Sequence, residues 1–185
     1  MRKSMLKSMK DIDRDGGNMI TKVMAKMIDA SQGNKHDIAH FLKVHAYAAL
    51  IGHMENIEEQ KQLILELTAI VHDIACPLCR QKYGNANGKY QEAESEALLR
   101  PFLKEFELDK EICERIIYLV SHHHTYTNVD DVDYQILLEA DYLVNADEGK
   151  ATRDHICSVL ESVFQTESGK QLLKSIYLRE GVHAK

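Results

Sequence analysis

Three features of the sequence predict an all-α, single-domain helical bundle. Apolar residues recur at helical spacing along most of the chain. Turn and sheet markers are scarce, with two prolines, nine glycines and no tryptophan, while Leu, Ile, Ala, Lys and Glu are abundant. The length of 185 residues with 44% hydrophobic content suits one core. The expected organisation is a lead-in over residues 1–17, a helical core over 18–150, and C-terminal helices over 151–185 packed on that core as part of the same domain.

The lead-in is polar, either helical or loosely ordered, and ends at Asp15-Gly16-Gly17. From Asn18 to Ser31, Met19, Ile20, Val23, Met24, Met27 and Ile28 form an apolar stripe that reads as core filler. Gly33-Asn34 breaks the pattern before a helix over 35–52. There His40, Val44, Tyr47 and Ile51 share one face, flanked by Phe41 and Ala48, so His40 points inward. His36, His45 and His53 lie off that line, near the surface. The next helix, 58–76, carries Leu63, Leu67, Ile70, Val71 and Ile74 on a wide apolar stripe, with His72 and Asp73 near its end. Those two neighbours diverge by about 100° around the axis and can reach one ion between them. Pro77 is expected to terminate the helix.

Residues 78–90, LCRQKYGNANGKY, read as a loop leaving the helix beside His72 and Asp73. It is either a lid or anion-binding segment using Arg80, Lys82 and Lys89, or an ordinary solvated connection. A helix over 91–108 is interrupted or kinked at Pro101. Asp109 then caps a helix with Ile112, Ile116, Ile117 and Val120 inward, which ends in SHHHTYTN, where His122, His123 and His124 are consecutive. The segment 131–147 places Leu137, Leu138, Asp141, Val144 and Asn145 close to one face. Two amphipathic helices, divided near Thr166, fill 151–179.

A net charge of −6 and a pI near 5.9 argue against a nucleic-acid partner, which would need a concentrated basic face. The basic start MRKSMLKSMK has its apolar positions broken by Lys3, Ser4, Lys7 and Ser8, so it forms no signal-peptide core. No apolar run is long enough to span a bilayer, so no membrane partner is expected, and a cytoplasmic location follows. Four irregularly spaced cysteines make no disulfide framework. Cys76-Pro77-Leu78-Cys79 has the spacing of half a zinc site or a redox pair, but lacks a second pair and reads as two thiols packed at a helix end.

Chemistry therefore rests on inward polar groups. His40, the His72-Asp73 pair and Asp141 each interrupt an apolar face, and ionisable groups are rarely buried without a partner. Two imidazoles and two carboxylates suit one first-row divalent ion, namely Mn, Fe, Co, Ni or Zn.

This order, H…HD…D with the contexts HFLKV, LTAIVHDIA and LLEADYLVNA, resembles the HD (His-Asp) superfamily of metal-dependent phosphohydrolases over roughly residues 20–150. The resemblance implies an all-helical core with His40, His72, Asp73 and Asp141 as metal ligands. It also implies that Asp73 orients or deprotonates the attacking water. Extra histidines in some members hold a second ion; His122 and His123 are the candidates here, although Gln91 or Glu92 stands where another histidine is expected. Cys76-Pro77 replaces the acidic residues of members that hydrolyse guanosine tetraphosphate, and the GYP tail of cyclic-dinucleotide hydrolases is absent, which disfavours both activities.

The expected activity is hydrolysis of a small-molecule phosphate ester, with a nucleotide as the favoured substrate. His122, His123, Lys43 or Lys89 would protonate the leaving oxygen or touch the phosphate, and Arg80, Lys82, Lys89 and His124 would bind substrate. The alternative is a regulatory module that binds metal and nucleotide without turnover. A third reading, a helical scaffold with chance polar core residues, leaves several buried polar groups unexplained.

Overall fold

The computed structural model describes residues 9–179, with side chains from residue 18 onward. Nine helices and no strands occur among the described residues: α1 Met9–Ala30, α2 Lys35–Met54, α3 Glu59–Val71, α4 Cys76–Tyr83, α5 Gly88–Leu103, α6 Lys110–Val120, α7 Val132–Glu148, α8 Arg153–Ser162 and α9 Glu167–Tyr177. The all-α expectation holds. Of the lead-in, residues 1–8 lie outside the described residues. The helix expected from Asn18 instead begins at Met9 and runs through Gly16 and Gly17.

α3 is the hub. Every residue from Ile64 to Val71 is buried, and the helix packs against α1, α2, α6 and α7. Glu66 is the charged member of that run; it accepts from Gln62 Nε2 at 2.8 Å and lies 3.0 Å from His45 Nε2. α2 packs on both α3 and α7, so these three helices form the seam where the inward polar residues meet. Contrary to the sequence expectation, the stretch Glu59–Tyr83 is long and apolar enough by composition to cross a membrane. Yet 67% of its most apolar window is buried inside the protein, and its hydrophobicity serves the core.

Two boundaries on either side of Pro77 differ from the sequence reading. The organising helix stops at Val71, not Cys76. Ile74 N donates to Val71 O at 3.0 Å, and the Asp73 carbonyl, to which Pro77 has no N–H to give, accepts from Cys76 N at 3.0 Å. This places His72 and Asp73 in a tight turn. Pro77 then sits in the first turn of α4, where its missing donor costs nothing. Residues 78–83 are thus helical, and the loop expected over 78–90 shrinks to 84–87. Gly84, with φ of 74°, provides the left-handed cap.

α5 ends at Leu103, with Pro101 accommodated in its last turn, instead of reaching 108. α6 and α7 form where expected, although Asn145 is exposed. Between them, Arg115 holds both Asp133 (2.6 Å) and Asp130 (2.7 Å), and the Tyr134 hydroxyl lies 2.6 Å from His122 O and 2.7 Å from Thr125 O. The turn that carries the three histidines is fixed from two sides.

The C-terminal helices are tied on by buried Glu139. Its carboxylate accepts from Gln135 Nε2, from the backbone N–H groups of Gln165 and Thr166, and from the Thr166 hydroxyl, satisfying donors at the start of α9. A Cβ at Gly169 would stand 1.9 Å from Glu139 Oε2, so the approach requires glycine. Replacement of Glu139 by Ala strands several buried donors at about 1–3 kcal/mol each, before relaxation. We expect Glu139→Ala to lower the thermal midpoint by roughly 5–10 °C in calorimetry; an unchanged midpoint would show that water replaces the carboxylate at no cost.

Candidate metal centre

Three helices deliver the four residues that the sequence singled out. His40 comes from the middle of α2, His72 and Asp73 from the turn after α3, and Asp141 from the middle of α7; His40, His72 and Asp141 are buried. His40 Nε2 lies 3.2 Å from His72 Nε2, 3.2 Å from Asp141 Oδ1 and 3.5 Å from Asp73 Oδ2. His72 Nε2 lies 3.6 Å from each of the same two carboxylate oxygens. Donors about 2.0–2.2 Å from a shared ion stand roughly 3.0–3.6 Å from one another at tetrahedral or octahedral angles. The spacing fits a divalent ion, with His40, His72 and Asp73 offering ligand atoms within 4.8 Å of one another and Asp141 Oδ1 set against both imidazoles.

Ring orientation supports the fit. His72 Nδ1 is 2.8 Å from Ala69 O, His123 Nδ1 is 2.7 Å from Val120 O, and His40 Nδ1 is 2.9 Å from Glu148 Oε2. Each Nδ1–H is thereby donated to an oxygen, which leaves Nε2 of each ring to face the centre. The aspartate next to His72 faces two ways: Asp73 Oδ2 is turned to His40 and His72, while Oδ1 lies 3.5 Å from His123 Nε2. Asp73, His123 and His124 also have ligand atoms within 4.8 Å of one another. Among the described residues, Nε2 of His123 and of His124 are buried without a hydrogen-bond partner, as expected of nitrogens suited to a cation.

The electrostatics follow from the crowding. Burial opposes a charge on His40, but the hydrogen bond to Asp141 and the charges of Asp73 and Asp141 prevail, with help from Glu148, and raise its pKa to about 9. Burial would lift Asp73 and Asp141. The charges of His72, His123 and His40 nevertheless hold Asp73 well below the usual carboxylate range, and hydrogen bonds from His40 and His72 do the same for Asp141. His123 and His124, with ring centroids 3.9 Å apart, shift in opposite directions. Burial lowers both, but contact with Asp73 raises His123 overall, whereas His124 is pushed down to about 4 by burial and by the neighbouring charge of His123.

The remaining sequence candidates are placed differently. His122 lies against Tyr118, with ring centroids 4.5 Å apart and Nδ1 2.7 Å from Tyr118 O, and joins neither donor group. Lys43 is bound to Glu148 at 2.7 Å, Arg80 to Asp37, and Lys82 to Glu94 at 2.6 Å, so none of these three is a free anion ligand. Lys89 is exposed in the first turn of α5, next to Gly88, whose backbone approaches the His124 ring so closely that a Cβ there would be 2.6 Å from it. Glu92, which with Gln91 stands where the resemblance implies a histidine, accepts from His124 N at 3.1 Å and Thr125 Oγ1 at 3.0 Å, bracing the histidine turn. Cys76 and Cys79 are buried free thiols, and burial pushes the Cys76 thiol far up, against a redox role. Sequence reasoning missed Glu148; its spacing from Asp141, two helical turns along one face, was the available signal.

The HD domain family matches residues 37–146, more than half of the chain and a span that contains every donor described above. The chain belongs to the HD-domain family, an all-helical family consisting mostly of metal-dependent hydrolases. A search of curated proteins finds no match.

The pKa directions set how metal uptake depends on pH. His40 stabilises the metal-free fold below its ordinary value of 6.5, and that contribution is lost as pH rises through about 9. The depressed aspartates contribute above the ordinary carboxylate range and lose this only in strong acid. A cation must displace the proton on His40 Nε2, so affinity for Co²⁺ should rise about tenfold per pH unit from pH 7 toward 9, with about one proton released per ion. Calorimetric titrations in buffers of different ionisation heat measure both. A flat profile over that range would contradict the assignment of His40.

Proposed function

We propose that this protein is a metal-dependent phosphohydrolase acting on a phosphomonoester or phosphodiester of a small molecule, with a nucleotide as the favoured substrate. One observation carries the reading: His40, His72, Asp73 and Asp141 converge at ligand spacing while a second oxygen of Asp73 and the histidines at 123 and 124 remain beside them. His40, His72, Asp73 and Asp141 would hold a divalent ion, and Asp73, His123 and His124 offer a second position. Bound there, a divalent ion acidifies a water and polarises a phosphoryl oxygen.

The protein's own residues divide the remaining work. Asp73 Oδ1, directed away from His40 and His72, orients the attacking water by accepting a hydrogen bond from it. When the second position is unfilled, His123, raised by its contact with Asp73, donates a proton to the leaving oxygen. Apolar walls from α3 and α7 limit water around these groups and strengthen their electrostatic interactions.

The pairing of Lys43, Arg80 and Lys82 with carboxylates favours a second reading, in which a nucleotide is sensed without turnover because few cations are free to grip a transition state. Product release separates the two. On a panel of phosphate esters with added Mn²⁺ or Co²⁺, the hydrolase reading expects phosphate or nucleoside release that falls at least about 100-fold in His72→Ala and Asp73→Ala. His123→Gln should lower kcat by about 10²–10⁴, whereas His122→Phe stays within about threefold. Ligand-dependent stabilisation without product across the panel would establish the sensor instead.

A further inference from the structure

We propose that Glu148 is a positioning residue of this centre, holding His40 in the ring orientation that turns Nε2 to the metal; the inference rests on the hydrolase reading above. Glu148 lies in the last turn of α7, seven residues beyond Asp141 and hence on nearly the same face. Its carboxylate has two separate bonds. Oε2 is 2.9 Å from His40 Nδ1, and Oε1 is 2.7 Å from Lys43 Nζ, one turn further along α2. With its side chain only 18% exposed, it is screened from bulk water, and exposed His36 approaches Oε2 at 3.5 Å.

The comparison with the other two rings gives the bond its meaning. His72 and His123 are oriented by backbone carbonyls at the ends of their own helices, a local device that needs no particular side chain. His40 sits in the middle of α2, and its Nδ1–H goes to a side chain on another helix instead of a carbonyl of its own. The acceptor comes from 108 residues away and is a carboxylate. A half-turn of the ring about its Cβ–Cγ bond would present carbon to the centre; the bond to Glu148 prevents that, and its negative charge makes Nε2 a stronger donor to a cation. Lys43 holds the other oxygen and fixes the carboxylate in place, a part different from the direct contact with substrate expected of it from the sequence.

A mere interhelical clip would affect stability alone, so the test reads metal binding and ring orientation. Glu148→Ala and Glu148→Gln are compared with the full-length wild type for Co²⁺ affinity, by competition with a chromophoric chelator, and for the downfield Nδ1–H proton resonance of His40 in the metal-free protein. Loss of a group behind a metal-bound histidine costs about 10–100-fold in affinity. Glu148→Ala should show that loss together with disappearance of the resonance. Glu148→Gln, which keeps an acceptor but not the charge, should retain the resonance and lose roughly tenfold; it decides the matter alone should the alanine variant fail to fold. Wild-type affinity in the variants, or survival of the resonance in folded Glu148→Ala, overturns the proposal. Failure of the wild type to bind Co²⁺ would instead defeat the hydrolase reading and the present inference with it, a result distinct from equal binding by all three proteins.

Discussion

The structure depends on the burial of carboxylate charge at the seam of α2, α3 and α7. An ion taken from water into a protein interior loses several kcal/mol of solvation even after relaxation, against a total stability of about 5–15 kcal/mol for a typical domain. Asp141 is 3% exposed, and both imidazole partners approach it on one oxygen. Without those contacts the seam would be a net liability. With them, the helices can close, and the cost is offset by the apolar residues that surround the cluster, from Val44 and Ile51 on α2 to Leu137 and Val144 on α7. Two like charges, Asp73 and Asp141, then share two histidines, an arrangement that gains most from a cation.

Pro77 acts on the same centre through the backbone. It leaves the Asp73 carbonyl to Cys76 N at the close of the tight turn bearing His72 and Asp73, and it lies in the first turn of α4. A continuous helix would carry the two side chains on its surface at fixed angles; the turn lets Asp73 face His40 with one oxygen and His123 with the other. The histidine turn after α6 is restrained to match, by Glu92 from α5 and Tyr134 from α7. Side chains from α5 and α7 thus set the position of groups that belong to neither helix.

The buried donors were legible in the sequence because each breaks an apolar period within its own segment. His40 interrupts a face with Val44 and Ile51, and Asp141 one with Leu137 and Val144; a polar residue on such a face points inward whatever the segment packs against. The expected loop over 78–90 failed for a local reason, since Pro77 was read as a terminator when the first turn of a helix tolerates it equally. The pairing of the cations was hidden for a nonlocal one. Nothing around Arg80 or Lys43 in the sequence shows that Asp37 or Glu148 would neutralise it.

By itself, then, the sequence determined the helical class and the identity of the inward donors, because periodicity and burial are properties of a single segment. Only the tertiary structure decided which of the three adjacent histidines reach Asp73, which cations are already paired, and that Glu148 stands behind His40. Those outcomes depend on distances between segments as much as 108 residues apart, and such distances are set by how helices pack, not by the order of residues within any one of them.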